Sequence, residues 1–278
     1  MLEMLSYPFI VRALVVGMLV SLCSALLGVN LVLKRYSMIG DGLSHVAFSA
    51  LAVATVMNWA PLWAAIPVVI IASYFLLMFS SNDRVSGDSA IALLSTGALA
   101  VGIFIISMKS GINTDINNYM FGSVLAISKS DVTLSVVLSL AVLVLYVLFY
   151  NKIFAVTFDE PFAKATGVRA GFYNFLIAVL TAVTIVLGMR MIGALLISSL
   201  IIFPAMSSMR IFKCFRSVVI CSALISVGCF LAGLILSYEY SAPTGASVVI
   251  INIAVFAAFC AIDFVRSRLK PIGTVPKQ

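Results

Sequence analysis

The stretch PFIVRALVVGMLVSLCSALLGVNLVL, residues 8–33, contains a single charged side chain, Arg12, among apolar and small residues. A helix rises 1.5 Å per residue, and about 20 apolar residues cross the roughly 30 Å hydrocarbon core of a bilayer. The stretch is therefore long enough to span a membrane. The residues before it lack the basic region of a cleavable signal peptide, so we interpret it as a first membrane span.

Further apolar segments follow along the whole chain. Hydrophobic residues make up 63% of the sequence and charged residues 10%, whereas a soluble domain has about 25% charged residues. The sequence predicts an all-α polytopic membrane protein with eight or nine transmembrane helices, arranged as one domain over residues 1–278. The predicted spans are 9–33, 38–57, 62–80, 89–108, 131–149, 171–189, 191–209, 217–238 and 245–264.

The basic residues predict the orientation of these spans. If the tail 265–278 is cytoplasmic, alternation places 13 of the 17 basic residues on the cytoplasmic side, in agreement with the positive-inside rule. The N-terminus is then outside. The net charge of +7 is explained by topology, and it does not require a nucleic-acid partner. Two predicted spans meet almost without a loop at Gly188-Met189-Arg190.

Asp41 and His45 are the most informative polar residues, and His45 is the only histidine in the chain. Residues at i and i+4 share one face of a helix. A carboxylate inside a bilayer costs about 2.5–3.5 kcal/mol, so a lipid-facing position is disfavoured. Imidazole with carboxylate suits Zn(II) or Mn(II), and Asn30 and Ser44 are candidates for additional positions on a metal pathway. A packing pair and a proton relay are the alternatives.

Two further segments have readable local signals. Asp159 and Glu160 followed by Pro161 predict a short helix start, and Gly167 suits its C-terminal cap. Pro204 lies inside an apolar span, where it removes a helix hydrogen bond and makes the position a candidate gate. Neighbouring serines are expected to bond to the freed backbone. They are Ser198, Ser199, Ser207 and Ser208.

The sequence motifs that the chain lacks also restrict its possible functions. No GxxxxGK[ST] motif is present, so the chain itself cannot bind ATP by a P-loop. A single histidine rules out HExxH, and because His45 is already paired with Asp41, no histidine remains for a Ser/His/Asp set. The five cysteines form no CxxC pattern and are expected to be small buried hydrophobic residues.

The motifs taken together resemble a known family. RYSMIGDGLSHVAFSALAVA (35–54) resembles the second-helix signature of permeases from bacterial zinc/manganese ABC importers. NNYMFGSVLAIS (117–128) and FAVTFDEPFAKATGV (154–168) resemble two further family segments, the second being the cytoplasmic coupling segment. Two more stretches, MIGALLISSLIIFPAMSSMRI (191–211) and SYEYSAPTGASVVI (237–250), also agree in order and spacing.

The resemblance implies a permease subunit in the bacterial cytoplasmic membrane that is not itself an enzyme. It further implies a second permease chain in a homodimer, together with ATP-binding subunits and an extracellular or periplasmic metal-binding lipoprotein. Asp41 and His45 become the metal ligands, and Asp159, Glu160 and Gly167 belong to the segment (about 157–168) that contacts the ATPase. No cofactor is expected to be permanently bound; Zn(II) or Mn(II) is the cargo. The MLEML start and the TFDE segment look closer to zinc-type members.

Two other functions remain open at this stage. A proton-coupled secondary cation transporter would need no ATPase and no coupling segment. An ABC permease for a metal chelate would need a wide path with few metal ligands.

Overall fold

A computed structural model describes residues 8–80, 87–108 and 129–269. The described residues form helices joined by short turns, with no β-strand among them. In chain order they are α1 Pro8–Leu33, α2 Ile39–Val56, α3 Pro61–Ser80, α4 Gly87–Ser107, α5 Lys129–Leu148, α6 Tyr150–Phe158, α7 Glu160–Ala165, α8 Ala170–Ile192, α9 Ala194–Ile211, α10 Phe215–Tyr240 and α11 Thr244–Leu269.

The predicted spans correspond one to one to α1–α5 and α8–α11, which confirms the all-α membrane fold. Within the described residues, seven of these helices are long and apolar enough to cross a bilayer, while α3 and α9 have shorter apolar stretches. Helices are the expected solution, because every backbone polar group in a bilayer must be satisfied internally. Helix α11 continues to Leu269 and so includes the first residues of the predicted tail.

The junction between α8 and α9 lies later than predicted. Residues 188–190 are helical, and the break is at Gly193, which has φ 99° and ψ 157°. A residue with a Cβ is strained at such a φ, whereas glycine adopts it readily. Gly188 and Gly193 both lie in this part of the sequence, and the backbone turns at Gly193.

The centre of the bundle is formed by α1, α2, α8 and α9, and most of their buried hydrophobic side chains belong to one hydrophobic cluster. Helices α1 and α9 approach very closely at Gly28, where a Cβ would lie 2.1 Å from the carbonyl oxygen of Ile201. Helix α4 packs on α2 in a similar way, since a Cβ at Gly42 would lie 2.8 Å from Ile91 and one at Gly102 would lie 2.9 Å from Phe48. Small residues at such contacts are typical of membrane helix packing.

Several basic loops meet at one end of the bundle, here called the basic end. The side chain of Lys34, just after α1, contacts Glu160 at the start of α7 and Asn174 in α8. Phe215 at the start of α10 contacts Phe154 of α6, with ring centroids 4.9 Å apart. Three of the regions predicted to be cytoplasmic therefore share one end, as the predicted alternation requires.

A buried ion pair joins two helices where α5 begins and α8 ends. Arg190 Nη2 lies 2.6 Å from Asp131 Oδ2, and each side chain is less than one-fifth exposed. The pair connects the start of α5 to the end of α8, and it lies far along α8 from Asn174 and the basic end. Arg190 therefore lies at the end of the bundle opposite to the basic end.

Candidate functional site

Asp41 lies in the first turn of α2 and His45 one turn later. Turns precede this helix at residues 34–38, and Arg35 has a left-handed φ of 61°. Asp41 and His45 therefore lie about 3 and 9 Å along the helix axis from its first residue, Ile39. An acidic side chain in a first turn is favoured by the positive end of the helix dipole.

The two side chains face each other without a tight hydrogen bond. His45 Nε2 lies 3.7 Å from Asp41 Oδ2, which is longer than the usual 2.7–3.2 Å of such a bond. The His45 side chain is 16% exposed, whereas that of Asp41 is 41% exposed. The Asp41 carboxylate is therefore partly exposed at the surface of this chain, within an otherwise apolar stretch of sequence.

Two serines lie near the pair, and they have different environments. Ser44 is fully buried, and its hydroxyl donates to the backbone oxygen of Asp41 at 2.7 Å. Ser198 of α9 is close enough to interact with the Asp41 carboxylate. Its buried hydroxyl makes no hydrogen bond of normal length and angle among the described residues. Ser198 is thus the polar group that α9 contributes beside Asp41 and His45. From the sequence it was expected only to bond to the backbone freed by Pro204.

Asn30 belongs to a different group of residues. Its Nδ2 donates to the Leu26 carbonyl at 2.9 Å and to the Tyr146 hydroxyl at 3.0 Å. Its Oδ1 accepts a hydrogen bond from Thr157 Oγ1 at 3.1 Å. The side chain is completely buried. The structure joins Asn30 to α5 and α6, with no hydrogen bond to Asp41 or His45 among those of the described residues.

Pro204 lies inside α9, which is one continuous helix in spite of the proline. Nearby serines were expected to bond to the carbonyl that Pro204 frees. Ser199 and Ser208, the two that have a described partner, bond to other carbonyls. Ser199 donates to Leu196 at 2.7 Å, and Ser208 donates to Ala205 at 2.9 Å. A serine side chain in a helix reaches the carbonyl three or four residues back, and both of these serines bond to the carbonyl three residues back.

The coupling segment has the local structure that its sequence predicts. Asp159 is extended between α6 and α7, and its carboxylate accepts a hydrogen bond from the Phe162 amide at 2.9 Å. Gly167, with φ 83°, ends α7 in a Schellman motif. The amide of Val168 donates to Ala163, and that of Gly167 donates to Lys164. Helix α7 is six residues long, slightly shorter than the two turns predicted.

Glu160 in the first turn of α7 contacts three groups. Its Oε1 lies 2.9 Å from Lys164 Nζ, and its Oε2 accepts from Asn174 Nδ2 at 3.0 Å. Lys34 Nζ lies 3.8 Å from Oε2 and also donates to Asn174 Oδ1. Burial acts to raise the pKa of Glu160, but the bonds from Lys164 and Asn174 and the charge of Lys34 hold it below its ordinary value. Burial lowers the pKa of Lys34.

No third histidine, cysteine, aspartate or glutamate joins Asp41 and His45 among the residues that the structure describes. One chain alone thus offers a carboxylate, an imidazole and the Ser198 hydroxyl at this place. Two strong ligands hold an ion loosely, and they suit an ion in transit better than a stored one.

The comparisons with known proteins agree with this arrangement. The family model described as ABC 3 transport family matches residues 6–263. A probable metal transport system membrane protein of Thermotoga maritima is 32% identical, over 91% of this chain and 90% of its own length. The manganese transport protein MntC of Halalkalibacterium halodurans is 28% identical, over 92% and 87%. The high-affinity zinc uptake protein ZnuB of Haemophilus influenzae is 30% identical, over 90% and 96%.

A solved structure has the same fold. PsaBC from Streptococcus pneumoniae, in complex with a Fab, superposes with a TM-score of 0.82 at 26% identity, over 91% of each chain. The family match covers nearly all of the described helices, including α2 and the coupling segment. The chain therefore belongs to the ABC 3 transport family, as a multi-pass permease subunit of metal ABC importers in the cytoplasmic membrane and not as an enzyme.

Proposed function

We propose that this permease carries zinc in preference to manganese, and that Asp41 and His45 bind the ion as it passes. The observation that supports the proposal best is the loose Asp–His pair, 3.7 Å apart, with an open carboxylate on a central helix. A hydrated divalent ion needs oxygen or nitrogen ligands to replace its water, and this pair supplies one of each. Zinc accepts imidazole nitrogen more readily than manganese does.

The geometry favours this role over the two alternatives for the pair. A packing lock needs a short hydrogen bond between buried partners, whereas Asp41 is 41% exposed and 3.7 Å from His45. A proton relay needs a further titratable group in reach, and the described residues place no third acidic or cysteine side chain there. A ligand pair for a passing ion requires neither.

A second copy of this chain is proposed to complete the ion's surroundings. One chain supplies too few ligands for four-coordinate zinc, and the exposed side of Asp41 leaves room for groups from another protein. In a two-fold dimer, the same patch on both subunits would bring two Asp–His pairs together. The Ser198 hydroxyl would add an oxygen from α9 of each copy.

The coupling segment is proposed to contact a separate ATPase subunit. Phe158 and Phe162 are 59% and 63% exposed on either side of the Asp159 cap, and such apolar surface is suited to docking in a protein groove. A metal-binding lipoprotein is proposed to deliver the ion from outside, and Pro204 is proposed as a gate in α9. Glu160 and Gly167 would fix the conformation of α7.

The test is metal uptake into proteoliposomes that contain the permease with its ATPase and lipoprotein. Asp41→Ala and His45→Ala should each abolish uptake of labelled zinc and manganese per folded permease. Asp263→Asn is the matched control, because it also removes a carboxylate but from a different helix, α11. Helix α11 packs on α9 and α10. Normal uptake per folded molecule in both alanine variants would refute the proposed pathway. Transport of chelated metal alone would favour the chelate permease.

A further inference from the structure

We infer that Lys34 and Asn30 link the coupling segment mechanically to the end of α1, and through it to the helix that bears Asp41. The two contacts are here called the α1 link: Thr157 with Asn30, and Glu160 with Lys34 through Asn174. The inference rests on the proposed contact between the coupling segment and an ATPase. It identifies which residues would carry the movement into the membrane domain.

The first contact is buried and fully satisfied. Thr157, in the last turn of α6, donates to Asn30 Oδ1 at 3.1 Å, and Asn30 also bonds to Tyr146 of α5. Both Asn30 and Thr157 are less than one-tenth exposed. A hydrogen bond between buried polar groups is costly to break, because each partner would be left without water. Helices α1, α5 and α6 are therefore held together at this level.

The second contact lies one turn further along α1. Lys34 is only 10% exposed, and its ammonium reaches both Asn174 and the Glu160 carboxylate. The Lys34 amide bonds to the Asn30 carbonyl at 3.0 Å, so the two contacts are joined through the hydrogen-bonded turn that ends α1. The coupling helix α7 is thus attached to α1 and α8 by one shared network of polar groups.

The α1 link ends close to the metal ligands. After Lys34 the chain turns at Arg35, with φ 61°, and the Tyr36 amide bonds back to Leu31 at 2.8 Å. Helix α2 begins at Ile39, two residues before Asp41. Because this turn is short and hydrogen-bonded, a displacement of the end of α1 also displaces the first turn of α2. Movement of α7 would in this way change the position of Asp41.

Lys164 provides a matched control for Lys34. Both ammonium groups contact the same Glu160 carboxylate, at 2.9 Å and 3.8 Å. Lys164 belongs to α7 itself and is 61% exposed, so its contact connects α7 only to itself. If the ion pair mattered only for the stability of α7, the two lysines would have similar effects. If the α1 link transmits movement, Lys34 alone is required.

The experiment measures metal uptake and ATP hydrolysis in the same proteoliposomes, with the complete complex. We expect Lys34→Met and the isosteric Thr157→Val each to lower the metal moved per ATP about fivefold or more, while ATPase association and hydrolysis persist. Lys164→Met should change this ratio less than about twofold. Lys34→Arg should retain most of the ratio, because a guanidinium also reaches both partners.

The outcomes separate the inference from the proposed function. An unchanged ratio in Thr157→Val, together with equal ratios in Lys34→Met and Lys164→Met, would overturn the α1 link, even where the wild-type complex moves metal well. If Lys34→Met fails to assemble, Thr157→Val alone decides, since it preserves shape and removes only the hydroxyl. A wild-type complex that hydrolyses ATP but moves neither zinc nor manganese would count against the proposed function instead.

Discussion

Ser198 of α9 approaches the carboxylate of Asp41 on α2, while its neighbour Ser199 turns away and bonds to the backbone of its own helix. The two serines are adjacent in sequence and similarly buried. Only the first has a hydroxyl that makes no hydrogen bond of normal length and angle among the described residues. An unsatisfied buried hydroxyl beside a proposed metal ligand is available to a passing ion.

Replacing Ser198 tests this availability directly. Ser198→Ala should raise the metal concentration needed for half-maximal uptake several-fold, because the ion loses one oxygen partner. Ser199→Ala is the matched control and should behave like the wild type, since its hydroxyl is bonded to Leu196. The measurement is uptake of labelled zinc against concentration. Equal curves for the two variants would show that Ser198 does not contact the ion.

The imidazole of His45 is predicted to set the preference between metals. His45→Asp should keep part of the transport and shift the preference towards manganese, because a carboxylate is a harder ligand than imidazole. The measurement is uptake of zinc and manganese in competition, per folded permease. Loss of both metals in equal proportion would contradict a selective role for His45 and leave it as a general ligand.

Gly167 is predicted to be essential to the shape of the coupling segment. Gly167→Ala should cost about 1–2 kcal/mol locally, since its φ of 83° is unfavourable for a residue with a Cβ, although the surrounding space is open. The metal moved per ATP should fall as α7 loses its defined end. Gly171→Ala, at an equally open glycine in α8, should be neutral or slightly stabilising. Similar results for the two would show that the left-handed turn is dispensable.

The Asp131–Arg190 pair is predicted to stabilise the end of the bundle opposite to the basic end. Arg190→Met should lower the free energy of unfolding by about 3–5 kcal/mol, because it leaves a largely buried carboxylate without its cation. Thermal unfolding of the purified permease in detergent provides the measurement. The double variant with Asp131→Leu should recover most of the loss. Arg169→Met, at an exposed arginine, is the control and should change little.

Acidification is predicted to weaken the α1 link through Glu160. The pKa of Glu160 in the folded protein is below its ordinary value of 4.5, so its contribution to stability is complete above that pH. The contribution is lost as the pH falls through the lowered pKa, when the carboxylate becomes protonated. Melting curves from about pH 6 down to about pH 3.5 should therefore drop less steeply for Glu160→Gln than for the wild type. Parallel curves would show that Glu160 does not titrate in this way.

Much of the fold could be predicted from sequence because the bilayer allows few alternatives. Each apolar run had to be a helix, so nine segments were found correctly from hydropathy alone. The Asp159 cap and the Gly167 turn were also predictable, since both are local. The position of the α8–α9 junction was not, because Gly188 and Gly193 are equivalent in sequence. In the structure Gly188 lies within α8 and packs closely against Ile197 and Val20.

Contacts between distant helices could not be predicted. Nothing in the sequence places Ser198 beside Asp41 or Asn30 beside Thr157, because these pairs depend on how α1, α2, α6 and α9 pack together. The spacing of Asp41 and His45 was readable because both belong to a single helix. Asn30 was predicted from its polarity alone to be a candidate pathway residue, and polarity does not distinguish a pathway residue from a buried structural contact.

The backbone contact between Gly28 and Ile201 leaves no side chain between α1 and α9 at this level of the bundle. Side chains that interdigitate can exchange rotamers in nanoseconds, but a Cα hydrogen pressed against a carbonyl oxygen has no rotamer to change. Helices α1 and α9 can then separate or pivot only as whole bodies, a collective motion of microseconds to milliseconds.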